Sequence, residues 1–242
     1  MPSRRRRFPS VAPWPILLVL VLVGCDSPPP PADADAREPT FRDLVQQVRI
    51  GEATEIVVAQ EVIGDEELAL LTELPNLNHL AIERFSGTAV GLDYVARLKF
   101  LERLQLRGGE IGDDALAAIA NCESLKNLNL PDANFSDAGL TALAPLSRLE
   151  LLRFHTPNVT DEGMTQLAEL RSLRFLHLIG VPITDDGLEH IESMKQLESF
   201  YVDDANVTDD GIERLLIALP ELHLHINQHH SDRDPSKGTH PH

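Results

Sequence analysis

The chain of 242 residues has few cysteines and a shortage of positive charge. Its two cysteines, Cys25 and Cys122, are too few for a small scaffold held together by disulfide bonds. Lysine and arginine number 21 against 38 acidic residues, which gives a formal net charge of −17. An acidic chain repels phosphate, so this composition excludes nucleic-acid binding by charge neutralisation. With 43% apolar residues, the chain can still bury a sizeable core.

The sequence also lacks the short motifs of common catalytic sites. It has no phosphate-binding glycine loop, no H-E-x-x-H pair, no G-x-S-x-G elbow and no C-x-x-C. We therefore predict that the protein is not an enzyme and that it carries no cofactor and no resident metal.

The first 25 residues have the pattern of a secretion signal. Four arginines, Arg4 to Arg7, precede an unbroken apolar run of eight residues, Ile16 to Val23. A spanning helix needs about 20 apolar residues, so the run has the length of a signal-peptide core. Leu22-Val23-Gly24-Cys25 resembles the lipobox of bacterial lipoproteins, which implies a signal peptide over residues 1–24 and a lipidated Cys25. An ordinary cleaved signal peptide and an uncleaved anchor are the alternatives.

A proline-rich segment follows, over residues 25–39. It lacks the apolar content for a core and is predicted to be a tether, which in polyproline II conformation would reach about 45 Å. Signal, cysteine and tether together predict a protein anchored by lipid to a membrane of the bacterial cell envelope, facing the periplasm or the cell surface.

A repeat of 24 residues runs through the rest of the chain. Two apolar columns at this spacing lie two residues apart, so their side chains face the same side of a strand. The columns are Ile56, Leu80, Leu104, Leu128, Leu152, Leu176, Phe200 and Leu224, and Val58, Ile82, Leu106, Leu130, Phe154, Leu178, Val202 and Ile226. Later columns in steps of three predict a short helix in each repeat. Cys122 occupies one of these columns and is predicted to be a core thiol.

Each predicted helix begins with a hydroxyl residue and an acid, as in Thr184-Asp185. The hydroxyl can accept the free N–H groups of the first turn, and the acid favours the positive end of the helix dipole. Acidic pairs such as Asp185-Asp186 therefore indicate helix starts and not calcium sites. Glycine in the first turn, such as Gly187, lowers helix propensity, and we attribute it to close packing between repeats.

These residues carry a family resemblance. The string Leu173-x-x-Leu176-x-Leu178-x4-Ile183-Thr184-Asp185-x-Gly187-Leu188 resembles the "I-T-D-x-G-L" type of leucine-rich repeat, and its echoes cover residues 53–227. The resemblance implies an α/β solenoid with a curved parallel β-sheet on the concave face and short α-helices on the convex face. The weak members are the first repeat, which has Ala53 where leucine is expected, and the repeat at 77–100, where Gly87 and Ala89 depart from the loop pattern.

Two segments flank the repeats. Residues 40–52 predict an N-terminal cap helix, because Thr40 and Asp43 have the spacing of a capping box and Phe41 begins an apolar stripe. Residues 228–242 have almost no apolar side chains and are predicted to be a disordered, histidine-rich tail.

Residues between the core columns of a strand are expected to point to the concave face. Since adjacent strands lie about 4.8 Å apart, one patch is predicted from four neighbouring strands. Its members are Arg153, His155, Phe175, His177, Ile179, Tyr201, Asp203 and His225. Mixed aromatic, apolar and ionisable groups are typical of protein-binding hot spots, and solenoids usually bind through this face, so a protein partner is predicted here.

Two other functions stay open. The patch residues are also consistent with ordinary exposed strands, in which case the chain is a structural spacer or adhesion element without a defined ligand. Histidines at the C-terminus bind transition metals weakly and would suit a metal-handling lipoprotein. They are His223, His225, His229, His230, His240 and His242. A site from His155, His177, His225 and Asp203 is disfavoured, because metal donors lie within about 2.3 Å of one point and these residues are several strands apart.

Overall fold

The structure is a computed structural model, and it describes residues 38–72, 74–227 and 229–230. The described residues from Pro39 onward form one compact unit. The predicted signal peptide, the lipidation site at Cys25, the tether up to residue 37 and residues 231–242 lie outside the described residues.

Helices and strands alternate along the described residues. The helices are α1 (Phe41–Arg49), α2 (Asp65–Leu68), α3 (Ala89–Val95), α4 (Asp113–Ile119), α5 (Asp137–Thr141), α6 (Asp161–Ala168), α7 (Asp185–Ile191) and α8 (Asp209–Ala218). The strands are β1 (Glu55–Val58), β2 (His79–Phe85), β3 (Arg103–Gly108), β4 (Asn127–Leu130), β5 (Leu151–His155), β6 (Phe175–Ile179), β7 (Ser199–Asp203), β8 (His223–Ile226) and β9 (His229–His230).

All nine strands belong to one sheet, ordered as in the sequence. Strands β1 to β8 are parallel, and paired residues lie 24 positions apart, as Leu152 and Leu176 do, except at Phe85, which pairs with Gly108. The period of the sequence is therefore the register of the sheet, and the predicted α/β solenoid is confirmed.

The last strand differs from the prediction. His229–His230 form β9, which pairs antiparallel with β8, whereas the sequence predicts disorder from residue 228. The outer edge of β8 has backbone groups that no further repeat pairs, and β9 hydrogen-bonds along that edge.

The core lies between the sheet and the convex helices. Side chains of the apolar strand columns are buried and alternate with half-buried concave residues. Cys122 is 1% exposed, and burial raises the pKa of its thiol to about 12. The Cys122 thiol is thus a neutral core side chain.

Helix α1 lies next to the first strand. The side chain of Thr40 accepts from the Asp43 N–H while Asp43 Oδ2 accepts from the Thr40 N–H, and Phe41 is fully buried. The helix is shorter than the predicted segment of residues 40–52. It ends at Arg49, because Gly51 adopts a φ of +81° that breaks the helical path.

The irregular repeat at 77–100 fills its core differently from the others. Gly87 occupies a column that elsewhere carries an apolar side chain, and Phe85 is buried in its place at 4% exposure. Strand β2 therefore runs on to Phe85, with a shift of register after Ile82. The phenyl ring lies where Cβ atoms on Gly87 or Gly109 would be, so both glycines make room for it.

A ladder of aspartates joins neighbouring repeats on the convex side. Asp161 Oδ1 accepts from the Thr184 N–H at 2.7 Å, and Oδ2 accepts from the Thr184 hydroxyl at 2.7 Å. The same double contact recurs from Asp65 to Thr88, Asp113 to Ser136, Asp137 to Thr160 and Asp185 to Thr208. The sequence interpretation assigned these acids to the helix dipole, and the structure adds that they bind the helix start of the next repeat.

Candidate binding face

Strands β5 to β8 bring the eight predicted patch residues together. One row across the sheet is Arg153, His177, Tyr201 and His225, in direct register. A second row contains His155, Ile179 and Asp203. Phe175 lies in a third row, on the other side of the Arg153 row, where it pairs with Leu151 and Ser199. Six of the eight are half-buried, while Asp203 and His225 are 7% and 8% exposed. Burial of this degree limits side-chain movement and makes the surface preformed.

Aromatic and imidazole rings stack along this surface. The Tyr201 ring lies 4.1 Å from the His225 ring with an interplanar angle of 8°, and 5.1 Å from the His177 ring at 37°. The His223 ring meets His225 edge-on at 4.5 Å. Such stacked rings present apolar faces with polar rims, so they suit a partner that offers both kinds of contact.

His177 is held by an acidic neighbour. Its Nε2 lies 3.1 Å from Asp203 Oδ2 and donates to it, because a carboxylate only accepts. Burial lowers the pKa of His177, the hydrogen bond to Asp203 opposes that effect, and the positive charge of Arg153 lowers the pKa further. His177 is therefore neutral at neutral pH and offers its other ring nitrogen to a donor.

Unpaired polar atoms collect on the same face. Among the described residues, the buried side-chain polar atoms without a partner are Asn129 Oδ1, Arg153 Nε and Ser199 Oγ, all on concave strand positions. A buried polar group without a hydrogen bond costs about 1–3 kcal/mol, so each of these atoms favours the arrival of a complementary group. The patch predicted from the sequence did not include Asn129 and Ser199, because the burial of their side chains depends on neighbouring strands.

Several polar side chains in the N-terminal half of the face pair with one another, although Asn129 Oδ1 has no partner. Gln105 Nε2 donates to Glu83 Oε1 at 2.5 Å, and Asn129 Nδ2 donates to Gln105 Oε1 at 3.1 Å. Arg107 pairs with Glu83 at 2.9 Å. By contrast, the ion pairs found among the described residues leave Arg153 without a carboxylate. The candidate site is accordingly the half formed by β5 to β8.

The described part of the chain contains neither a cluster of metal-ligating side chains nor a helix that could span a membrane. No three histidine, cysteine or carboxylate side chains within it converge on one point. None of its helices has the length and apolar content to cross a membrane.

Comparison with known proteins supports the repeat assignment. Residues 97–120 and 121–144 match the family described as Leucine Rich repeat. No curated protein matches the chain. Among solved structures, internalin C2 from Listeria monocytogenes str. 4b F2365 is similar, with 23% sequence identity, a TM-score of 0.56, and coverage of 83% of this chain and 80% of that chain. At this identity the likeness concerns the fold alone.

Proposed function

We propose that this chain, a leucine-rich repeat solenoid, recognises another protein through the concave surface of β5 to β8. The observation that carries the proposal is Arg153, whose buried Nε has no hydrogen-bond partner and which lies in register with the stacked rings of His177 and Tyr201. A repeat domain of this kind suggests a protein-interaction role, and this face supplies the contacts.

The chemistry of the surface defines what the partner offers. Arg153 suits a carboxylate or a backbone carbonyl, since a guanidinium has donors only. Tyr201 and Phe175 suit an apolar or aromatic side chain packed between them. Arginine and tyrosine are enriched in the small set of residues that dominate binding energies. The alternative function, a structural spacer without a ligand, does not account for a preformed surface with unsatisfied donors.

Affinity capture with the full chain tests this proposal. The immobilised protein is exposed to envelope extract from the source organism, beside Arg153→Glu and Tyr201→Ala variants. The matched control is Arg103→Glu, which makes the same charge change on the concave side of β3. A partner retained by the parent and by the control but lost from both patch variants supports the proposal. Equal capture by all four proteins refutes it, provided that circular dichroism shows them equally folded.

We also propose that Cys25 anchors the protein by lipid in the cell envelope. The support is the order of Arg4 to Arg7, the apolar run and the lipobox-like segment ending at Cys25. In a bacterial host fed with radiolabelled fatty acid, the parent should take up label and sediment with membranes. Cys25→Ser should do neither, and a labelled, sedimenting Cys25→Ser variant contradicts the anchor.

A further inference from the structure

We propose that a second copy of this chain packs on the C-terminal end of the solenoid, so that two copies join end to end about a two-fold axis beside α8. The surface concerned, called the end face below, consists of Ala205, Val207, Ile212 and Leu216. It is separate from the concave surface of β5 to β8. The association of two copies therefore does not depend on the recognition of a protein partner.

Apolar columns that are fully buried within the solenoid are only half-buried in its last repeat. In the preceding repeat Val181, Ile183 and Leu188 are at most 1% exposed. Their counterparts 24 residues later are half-buried: Ala205, Val207 and Ile212. Inside the solenoid the next repeat completes the burial of such side chains. The last repeat therefore presents an apolar surface of the kind on which a further layer packs.

The orientation of α8 places this surface at the end of the molecule. Gly211 lies so close to Asp185 of the preceding repeat that a Cβ on it would overlap the carboxylate, and Arg214 pairs with Asp185 at 3.5 Å. Because an α-helix has 3.6 residues per turn, Ile212 and Leu216 lie about 150° around the helix from Gly211 and Arg214. These two apolar side chains therefore point away from the solenoid, along its axis.

The last helix also carries apolar residues that its predecessors lack. In the preceding repeats the position of Leu216 holds alanine, threonine or glutamate, and that of Ile217 holds a polar residue or proline. Leu216 is half-buried, and Ile217 is 74% exposed. Terminal repeats of solenoids normally have a polar outer face, which keeps them soluble. Apolar additions at this position favour a packed end over a solvated one.

The two ends of the described solenoid differ in their cover. At the N-terminal end, α1 buries Phe41 and turns Arg42, Gln46 and Arg49 to the solvent. At the C-terminal end, β9 pairs with the edge of the sheet, but no helix in the described part of the chain lies beyond α8. Residues 231–242 contain no Val, Ile, Leu, Met, Phe, Tyr or Trp, so they lack the side chains to cover the end face.

A second copy in two-fold contact matches the end face best. Apolar side chains then meet apolar side chains, and the contact closes at two copies because both use the same surface. A head-to-tail contact would place the end face against the polar outer side of α1 and would leave a free end for further copies. Since each copy contributes one helix and one loop, the interface is small. We expect a dissociation constant of about 1–100 μM.

Sedimentation velocity of the full chain tests this association. The reference protein carries Cys25→Ser, so that the proposed lipid cannot bring chains together. Over concentrations that bracket the expected constant, it should sediment as monomer and dimer in equilibrium. Leu216→Glu should raise the dissociation constant more than about 100-fold, because apolar burial is lost and a charge is added on both sides of the interface. Leu216→Ala, which keeps a good helix former, should raise it about 10-fold.

Three matched variants should associate as the reference does. Val90→Glu adds the same charge on α3 at a side chain that is 67% exposed, Arg42→Glu alters the outer side of α1, and Arg153→Glu alters the concave surface. A reference protein that stays monomeric, or an unchanged constant in both Leu216 variants, would overturn the proposal. Weakening by Arg42→Glu together with species larger than a dimer would show head-to-tail stacking and would also overturn it. Thermal unfolding of each variant separates a lost contact from a lost fold.

Discussion

At the scale of single residues, Gly187 shows how packing between repeats outweighs helix propensity. Gly187 lies in the first turn of α7, where glycine is unfavourable. A Cβ there would overlap Asp161 Oδ1 and come within 3.1 Å of Ile183 Cβ. The carboxylate of Asp161 is in turn fixed by Thr184, so glycine leaves the space that the ladder needs.

We predict that Gly187→Ala destabilises the fold by about 1–3 kcal/mol, the usual range for overpacking. An unconstrained helix would instead gain up to about 1 kcal/mol from this change. Denaturant unfolding measures the difference. In the Asp161→Ala background the same substitution should be less harmful, since the clashing carboxylate is gone. Effects that add to within about 0.5 kcal/mol would contradict the clash.

His177 should make stability depend on pH. Because burial lowers the pKa of the folded-state imidazole below the ordinary 6.5, the unfolded chain takes up a proton that the folded chain refuses. The free energy of unfolding should therefore fall as pH decreases through 6.5 and level off below the folded pKa. Denaturant titrations at several pH values should show a shallower slope for His177→Gln.

His79 provides the comparison for that slope. The pKa of His79 is also lowered by burial, against the opposing effect of its hydrogen bond to the Glu55 carboxylate, so the His177 variant should keep part of the dependence. An unchanged slope in His177→Gln would contradict the contribution of His177.

At the scale of elements, α4 departs from the aspartate ladder that α3 and α5 to α8 share. The preceding repeat has Ala89 in place of the aspartate, the helix starts after Gly112 without a hydroxyl, and Ala115 stands where α3 and α5 to α8 have glycine. These three departures are consistent with one another. Without a carboxylate at 89 there is nothing for a hydroxyl to bind and nothing for a Cβ at 115 to meet.

Restoring all three positions should therefore strengthen the junction of α3 and α4. We predict that Ala89→Asp, Gly112→Ser and Ala115→Gly together raise the free energy of unfolding by about 1 kcal/mol. Hydrogen bonds to a charged group contribute about 1.5–3 kcal/mol, and a glycine in a helix removes about 1 kcal/mol. Ala89→Asp alone should destabilise. Thermal and denaturant unfolding test both, and a single variant as stable as the triple one would contradict the coupling.

At the scale of the whole molecule, the solenoid depends on its ends. Each repeat packs on its neighbours, so an uncovered end exposes core residues such as Ile56. In the N-terminal part that the structure describes, α1 supplies Phe41, Val45 and Val48 to the core. The carboxylate of Glu61 accepts from the Phe41 N–H at 2.9 Å and ties the helix to the first repeat.

Loss of this cap should loosen the molecule from one end. Phe41→Ala is predicted to cost about 3–5 kcal/mol, the usual range for a buried phenylalanine. Hydrogen exchange should then rise first in β1 and β2 and last in β6 and β7, because stability passes from neighbour to neighbour. Val90→Ala, at a side chain that is 67% exposed, is the control and should change stability by less than about 0.5 kcal/mol. Uniform loss of protection would argue against loosening from the end.

The sequence by itself determined the solenoid, its 24-residue register and the alternation of core and concave residues. These features repeat, and each copy obeys the same local rule of strand alternation and helix periodicity. The rows that bring Arg153, His177, Tyr201 and His225 together follow from that register, so the members of the candidate face were predictable.

Only the tertiary structure decided the features that break or cross the repeat. Phe85 fills the space left by Gly87 through a shift in β2, and β9 pairs along the edge of β8. The aspartate ladder and the unpaired Arg153 Nε also depend on which atoms meet between neighbouring repeats. Spacing in the sequence fixes which residues are neighbours. The distances, burial and hydrogen bonds between them are set by packing in three dimensions.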